Sequence, residues 1–139
     1  MVTQRERGRK FSFEEHLKAL IYALLTNQRK WSDVEPKLVD IDRLFFNYDE
    51  AKILTYPGEY FEKGIRQLRC GNISIKSQMA NLNANIFMLI KIEEDYGSLD
   101  DYVVSKAPDV IVKELSSGIY KLKGIGTSTC MGVFKECRN

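Results

Sequence analysis

Apolar residues recur along most of the chain at intervals of three and four, the spacing that lines one face of an α-helix. Leu17, Leu20, Ile21, Leu24 and Leu25 form one such face, and Ser12 with Glu15 ahead of them has capping-box spacing, so a helix over 13–28 is predicted. Ser32 with Glu35 repeats the cap signature, and Pro36 falls in a first turn, where a missing amide is tolerated. Pro57 opens a helix that carries Phe61, Ile65 and Leu68 and stops by Gly71. The longest periodic stretch, from Ser74 to Asp95, turns Ile75, Met79, Leu82, Ile86, Leu89 and Ile90 inward and stops at Gly97; it is expected to be one central helix. Ser98 with Asp101 caps a short piece through Val104. Pro108 opens another with Val110, Ile111 and Leu115, which Ser116, Ser117 and Gly118 interrupt. Strand-like alternation, a repeat period and low-complexity tracts are all absent, so the predicted fold class is all-α, a helical bundle.

Composition narrows this to one unit. A chain of 139 residues with 44% hydrophobic content suits a single core that buries about two-thirds of the surface its unfolded form exposes. Residues 1–10 read as a flexible basic terminus and 11–139 as one helical domain. The net charge is only +2, so any nucleic-acid binding must come from a local basic face. The basic start (Arg5, Arg7, Arg9, Lys10) leads into a charged amphipathic helix rather than a signal-peptide core, and no long uncharged stretch offers a membrane span. A cytoplasmic protein is expected. Cys70, Cys130 and Cys137 are odd in number and lack CxxC spacing, and His16 is the only histidine. Neither a disulfide framework nor a zinc site is supported, and reduced core thiols are expected.

The densest chemistry follows Tyr120: Lys121, Leu122, Lys123, Gly124, Ile125, Gly126, Thr127, Ser128, Thr129 and Cys130, then a helical pattern with Met131, Val133 and Phe134. Two glycines one residue apart remove side chains that would block a phosphate, and a helix start offers unpaired N–H groups and a favourable dipole. Lys121 and Lys123 flank the turn, while Thr127 and Ser128 add hydroxyl donors suited to a nucleic-acid backbone. The same glycines would equally serve an ordinary interhelical turn that needs a positive φ.

Leu122 to Gly126 resembles the hairpin of the helix-hairpin-helix superfamily: Leu-x-Gly-hydrophobic-Gly followed by a helix. Ala23, Leu24, Leu25, Thr26, Asn27 and Gln28, with Trp31 and Val34 beyond, are similar to the Leu-Leu-Ser/Thr-x-Gln segment of endonuclease III and its glycosylase relatives. Asn72 to Asn85 with Lys76, running on to Tyr96, Gly97, Ser98 and Leu99, resembles the same superfamily, including 3-methyladenine glycosylases. The resemblance implies a helical fold that kinks duplex DNA and extrudes a damaged nucleotide into a pocket, since a stacked base cannot be attacked. It implies that Gln28 inserts into the duplex and that Ile73 lies in the loop supplying an apolar wedge. It also implies Na⁺ or K⁺ on the carbonyls of Tyr120, Leu122 and Ile125, bridging to a phosphate. Without the resemblance, Gln28 caps its own helix and Ile73 packs in the core; Trp31 either stacks on a base or anchors the core.

The departures are as informative. Relatives that also cleave the backbone carry a lysine two residues after the second hairpin glycine, where this chain has Ser128; a serine cannot form an imine, so lyase chemistry is not expected. The superfamily's catalytic aspartate lies beyond the second hairpin helix, and the chain runs only to Asn139. The iron–sulfur cysteine cluster is absent, and Ala23 stands near the position where the zinc-dependent type has a glutamate. Asp95, Asp100 and Asp101 have the spacing of caps and solvated helix ends. The expected function is therefore the double-stranded-DNA-binding part of a monofunctional base-excision glycosylase whose catalytic aspartate lies outside the chain. The alternatives are an inert helix-hairpin-helix module that binds DNA or protein, and an all-α domain used for protein contacts alone. An apolar face including Met131 and Phe134 would favour self-association.

Overall fold

The computed structural model describes residues 10–27, 29–127, 129, 130 and 133, and among them all regular structure is helical. Helix α1 spans Phe13–Thr26 and opens with the predicted capping box: the Glu15 N–H donates to Ser12 Oγ at 3.2 Å and the Ser12 N–H to Glu15 Oε1 at 3.1 Å. It ends two residues earlier than expected, with Asn27 as its C-cap. Helix α2, Trp31–Val34, starts before Ser32, so that serine lies inside the helix rather than capping it; Trp31 is already docked, its ring 6.2 Å from that of Tyr22. Pro36 sits in the 3-10 turn Glu35–Lys37, which leads into α3, Leu38–Leu44.

A second 3-10 turn, Phe46–Tyr48, holds three successive residues at positive φ (54°, 54° and 66°). Such backbone costs roughly 1–2 kcal/mol per non-glycine residue, so surrounding contacts must hold it. Phe45 stacks on Phe61 with centroids 4.9 Å apart, Phe46 stacks on Tyr56 at 5.1 Å, and the Tyr48 hydroxyl donates to Asp42 at 2.6 Å. The same carboxylate oxygen accepts from Tyr22; burial and then this bond push both tyrosine hydroxyls well above their ordinary range.

Helix α4 is Glu50–Ile53, capped by Asp49, and α5 is Gly58–Gln67, with Pro57 as its N-cap. The expected central helix is two: α6, Ile75–Ala80, and α7, Leu82–Tyr96, meeting at Asn81 (φ −95°, ψ −4°). This break shifts the inward face, so Ile75, Met79, Leu82, Ile86 and Leu89 are buried as predicted, while Ile92 rather than Ile90 completes the set. Start of α5 and end of α6 touch backbone to backbone: a Cβ on Gly58 would lie 2.1 Å from the Met79 carbonyl oxygen. Gly97, at φ 87°, ends α7.

Helix α8, Leu99–Val104, is capped by Ser98, which accepts from the Asp101 N–H at 3.0 Å. In α9, Pro108–Ser116, the buried residues are Ile111, Val112 and Leu115; Val110, expected inward, is 44% exposed. One cluster of buried residues runs from Phe11 to Val133. Within it His16 Nε2 lies 3.1 Å from Asp100 Oδ1, both side chains almost fully buried, which ties α1 to α8. Asp100 is therefore not the solvated helix-end residue its spacing suggested, while Asp101 pairs with Lys10 at 3.1 Å near the surface. No helix of the described residues is long and apolar enough to cross a membrane.

Candidate nucleic-acid interface

The glycine turn is fixed from both sides. Toward α9, the Tyr120 N–H donates to the Glu114 carbonyl at 3.2 Å and the Leu122 N–H to the Leu115 carbonyl at 2.8 Å. Toward α7, the nearly fully buried Asn85 side chain takes both backbone groups of Lys123: the Lys123 N–H donates to Oδ1 at 2.6 Å, and Nδ2 donates to the Lys123 carbonyl at 3.1 Å. Tyr120, Leu122 and Ile125 sink their side chains into the core, and the Tyr120 hydroxyl donates to Asp95 at 2.7 Å, which pushes its pKa up to about 12. Lys121, Lys123, Gly124, Gly126 and Thr127 face outward.

Gly124 has φ 70°, and a Cβ there would come within 2.9 Å of Asn81 Nδ2. Gly126 meets nothing within 4 Å of an added Cβ, so its backbone is approachable from outside. Thr127, Thr129, Cys130 and Val133 are helical, and the Cys130 N–H donates to the Gly126 carbonyl at 3.1 Å. A helix thus begins directly after the second glycine. Among the described hydrogen bonds the carbonyls of Tyr120 and Leu122 accept none. Ser128, Met131, Phe134 and Cys137 lie outside the described residues, as do Gln28, Arg5, Arg7 and Arg9.

The other two segments singled out in the sequence meet at the end of α1. The Leu24 carbonyl accepts from Asn72 Nδ2 at 2.8 Å, from Gln78 Nε2 at 3.1 Å and from the Asn27 N–H at 3.3 Å. The Ser74 N–H in turn donates to Asn72 Oδ1 at 2.9 Å, shaping the loop ahead of α6. Ile73, on that loop, is 87% exposed, which removes the core-packing account of this residue. Trp31 takes the opposite course: half-buried against the core, it donates Nε1–H to Glu35 at 3.1 Å, the anchoring reading rather than a free stacking surface. Helix α6 joins the parts, with Ile73 just before its first turn and Ser77 and Asn81 beside Gly124 at its end.

Sequence reading missed a cluster of arginines. Arg29, Arg66 and Arg69 line a cleft of about 350 Å³ with Gly71. Arg29 comes from the α1–α2 loop and the other two from the end of α5, so only the folded chain assembles them; the isolated basic residues carried no pattern.

No carboxylate among those singled out stands free for chemistry at a sugar. Asp95 accepts from Tyr120, Asp100 is buried against His16, and Asp101 accepts from Lys10. Among the described residues no group of three or more His, Cys, Asp or Glu is gathered to hold a metal ion, and Cys70 and Cys130 are buried free thiols. The chain matches no protein-family model, no curated protein and no solved structure at a significant level.

Proposed function

We propose that this chain is the DNA-gripping part of a monofunctional base-excision glycosylase of the helix-hairpin-helix kind. The glycine turn takes backbone phosphates on the amides of Gly124 and Gly126 and on Lys121, Lys123 and Thr127, with Ser128 as a further hydroxyl donor. Ile73 enters the duplex at the kink, and Gln28 fills the place of the extruded nucleotide. A Na⁺ or K⁺ ion on the carbonyls of Tyr120, Leu122 and Ile125 would add positive charge where the phosphate docks. The observation that carries the reading is the turn itself: Asn85 pins Lys123, Gly126 is open, and a helix starts immediately behind. An interhelical turn serving packing alone has no use for an open second glycine between two exposed lysines. The hydrolysing carboxylate is assigned to none of Asp95, Asp100 or Asp101, so grip and chemistry are separate contributions.

The test is duplex binding by fluorescence anisotropy. Gly126→Asp puts a charged side chain into open space, so the fold tolerates it while phosphate approach does not. Sequence-independent binding that weakens steeply with salt, and is lost in this variant, is the expected result. Wild-type affinity in Gly126→Asp would refute the turn as the site. In single-turnover assays the chain is expected to bind duplexes carrying alkylated or oxidised bases without excising them; clear excision would place a catalytic carboxylate within residues 1–139.

A further inference from the structure

Two loops meet behind Ile73. Arg29 reaches across from the α1–α2 loop and donates through Nη1 to the Gly71 carbonyl at 2.7 Å and through Nη2 to the Arg69 carbonyl at 3.3 Å, while its buried Nε has no partner. Arg69 itself sits at φ 59°, a conformation that arginine seldom adopts; here it brings its carbonyl to Arg29 and its side chain to the same cleft. Arg66, one helical step away, shares Glu62 at 3.0 Å. Among the described ion pairs neither Arg29 nor Arg69 has a carboxylate. Lys37 adds to this field: burial raises the Cys70 thiol, and Arg29 and Lys37 are the charges that pull it back. Three guanidinium groups with one carboxylate between them is an unbalanced cluster, and arginine forks match phosphate oxygens two at a time.

We infer that the Arg29–Arg66–Arg69 cleft is a second phosphate-binding site, placed so that duplex DNA held at the glycine turn passes Ile73 and is gripped again there. The assignment of a phosphodiester as occupant rests on the proposed function; the affinity of the cleft for a phosphate group does not. Helix α6 carries the spacing. Its six residues extend about 9 Å, with the cleft and Ile73 before its start and Gly124 beside its end. Phosphates of one strand advance about 3.4 Å each along the duplex axis, so the two sites stand about three phosphates apart. An exposed apolar side chain between two phosphate grips is the arrangement that forces a duplex to bend rather than slide past.

Two measurements separate this inference from the reading it rests on. In the first, inorganic phosphate is titrated into the wild-type protein while the arginine side-chain N–H signals are followed by NMR. The signals of Arg29, Arg66 and Arg69 are expected to move together, and signals that stay in place into the millimolar range overturn the cleft as a phosphate site. In the second, the double variant Arg66→Gln/Arg69→Gln changes two exposed side chains and leaves the Arg29 bonds to the loop backbone intact. Its salt-dependence slope for duplex binding is expected to fall by about 2, whereas a wild-type slope means that DNA does not reach the cleft and overturns the inferred path. A wild-type protein that ignores duplex DNA yet shows the phosphate shifts upholds the cleft as a phosphate site and removes the duplex as its source.

Discussion

Asn85 is the residue on which the geometry of the glycine turn depends most, and Asn85→Ala tests that dependence. The side chain is 2% exposed and makes two hydrogen bonds to Lys123, at 2.6 and 3.1 Å. A net hydrogen bond contributes about 1 kcal/mol, and Lys123 is exposed enough to recover water, so the bonds alone account for about 2 kcal/mol and the small cavity adds to that. For a chain of this length each 1 kcal/mol lowers Tm by roughly 3–5 °C, so a drop of roughly 6–10 °C is expected. The turn would keep its bonds to Glu114 and Leu115 but lose its tie to α7. If about 1.4 kcal/mol of the lost energy served to order the turn, the binding-competent fraction falls about tenfold, and duplex affinity with it. Asn85→Asp is the sharper control: a carboxylate still accepts from the Lys123 N–H, cannot donate to the Lys123 carbonyl, and brings a negative charge beneath the phosphate site. Urea titration and anisotropy on the same samples give both quantities. A stability loss below about 0.5 kcal/mol, with duplex affinity unchanged in both variants, would refute the claim that α7 holds the turn in its binding geometry.

Gly58→Ala should destabilise the protein by about 1–3 kcal/mol or more, because its Cβ would lie 2.1 Å from the Met79 carbonyl oxygen and α5 must move away from α6; wild-type stability in urea would show that the helices do not meet so closely. Glu114 is held below its ordinary 4.5 mainly by the Lys106 hydrogen bond and also by that of Tyr102, both at 2.8 Å. Since its folded pKa is depressed, its contribution is complete above the unfolded value and is lost as pH falls through the folded value, so Glu114→Gln should flatten the stability curve below about pH 4.5 and change its slope little above. Cys70 and Cys130 are both buried, with burial pushing the Cys130 thiol up to about 11, so a thiol reagent at neutral pH should modify them only as fast as the protein opens; immediate stoichiometric labelling of native protein would contradict their burial.

The elements that local rules govern were legible in the sequence. Ser12 with Glu15, Ser98 with Asp101, and Gly97 all act where spacing placed them, because a cap is decided by atoms within four residues of one another. What could not be read depends on contacts between distant segments. Periodicity runs unbroken across Asn81, yet the helix breaks there, in the segment that packs against both α5 and the glycine turn. Ser32 has a cap's neighbours, but docking of Trp31 on Tyr22 starts the helix sooner. The pairing of His16 with Asp100 joins residues 84 apart in the chain, and no spacing rule reaches that far. The candidate site divides in the same way: the glycine turn is contiguous and visible, while the arginine cleft is built from two loops and Asn85 looked like one more polar residue of a long helix.

Helix α6 gives these observations a common logic. It is only six residues long, too short to be stable by itself, and it contributes few of the large side chains in the core. Yet Gln78 on it bonds the end of α1, its last turn meets the start of α5 backbone to backbone, and Ser77, with Asn81 just beyond, lies beside Gly124. A short helix so placed acts as a rigid spacer, fixing how far the exposed Ile73 stands from the glycine turn. Under the proposed function that distance sets where a duplex bends relative to where it is held. The break at Asn81 follows as a requirement, since a continuous helix from 74 to 95 would run α6 straight on from α7, and the loop carrying Ile73 could not then be set independently of Asn85 and the turn it pins. An extended apolar face serves packing equally well with or without that break; a wedge held at a fixed offset from a phosphate grip needs it.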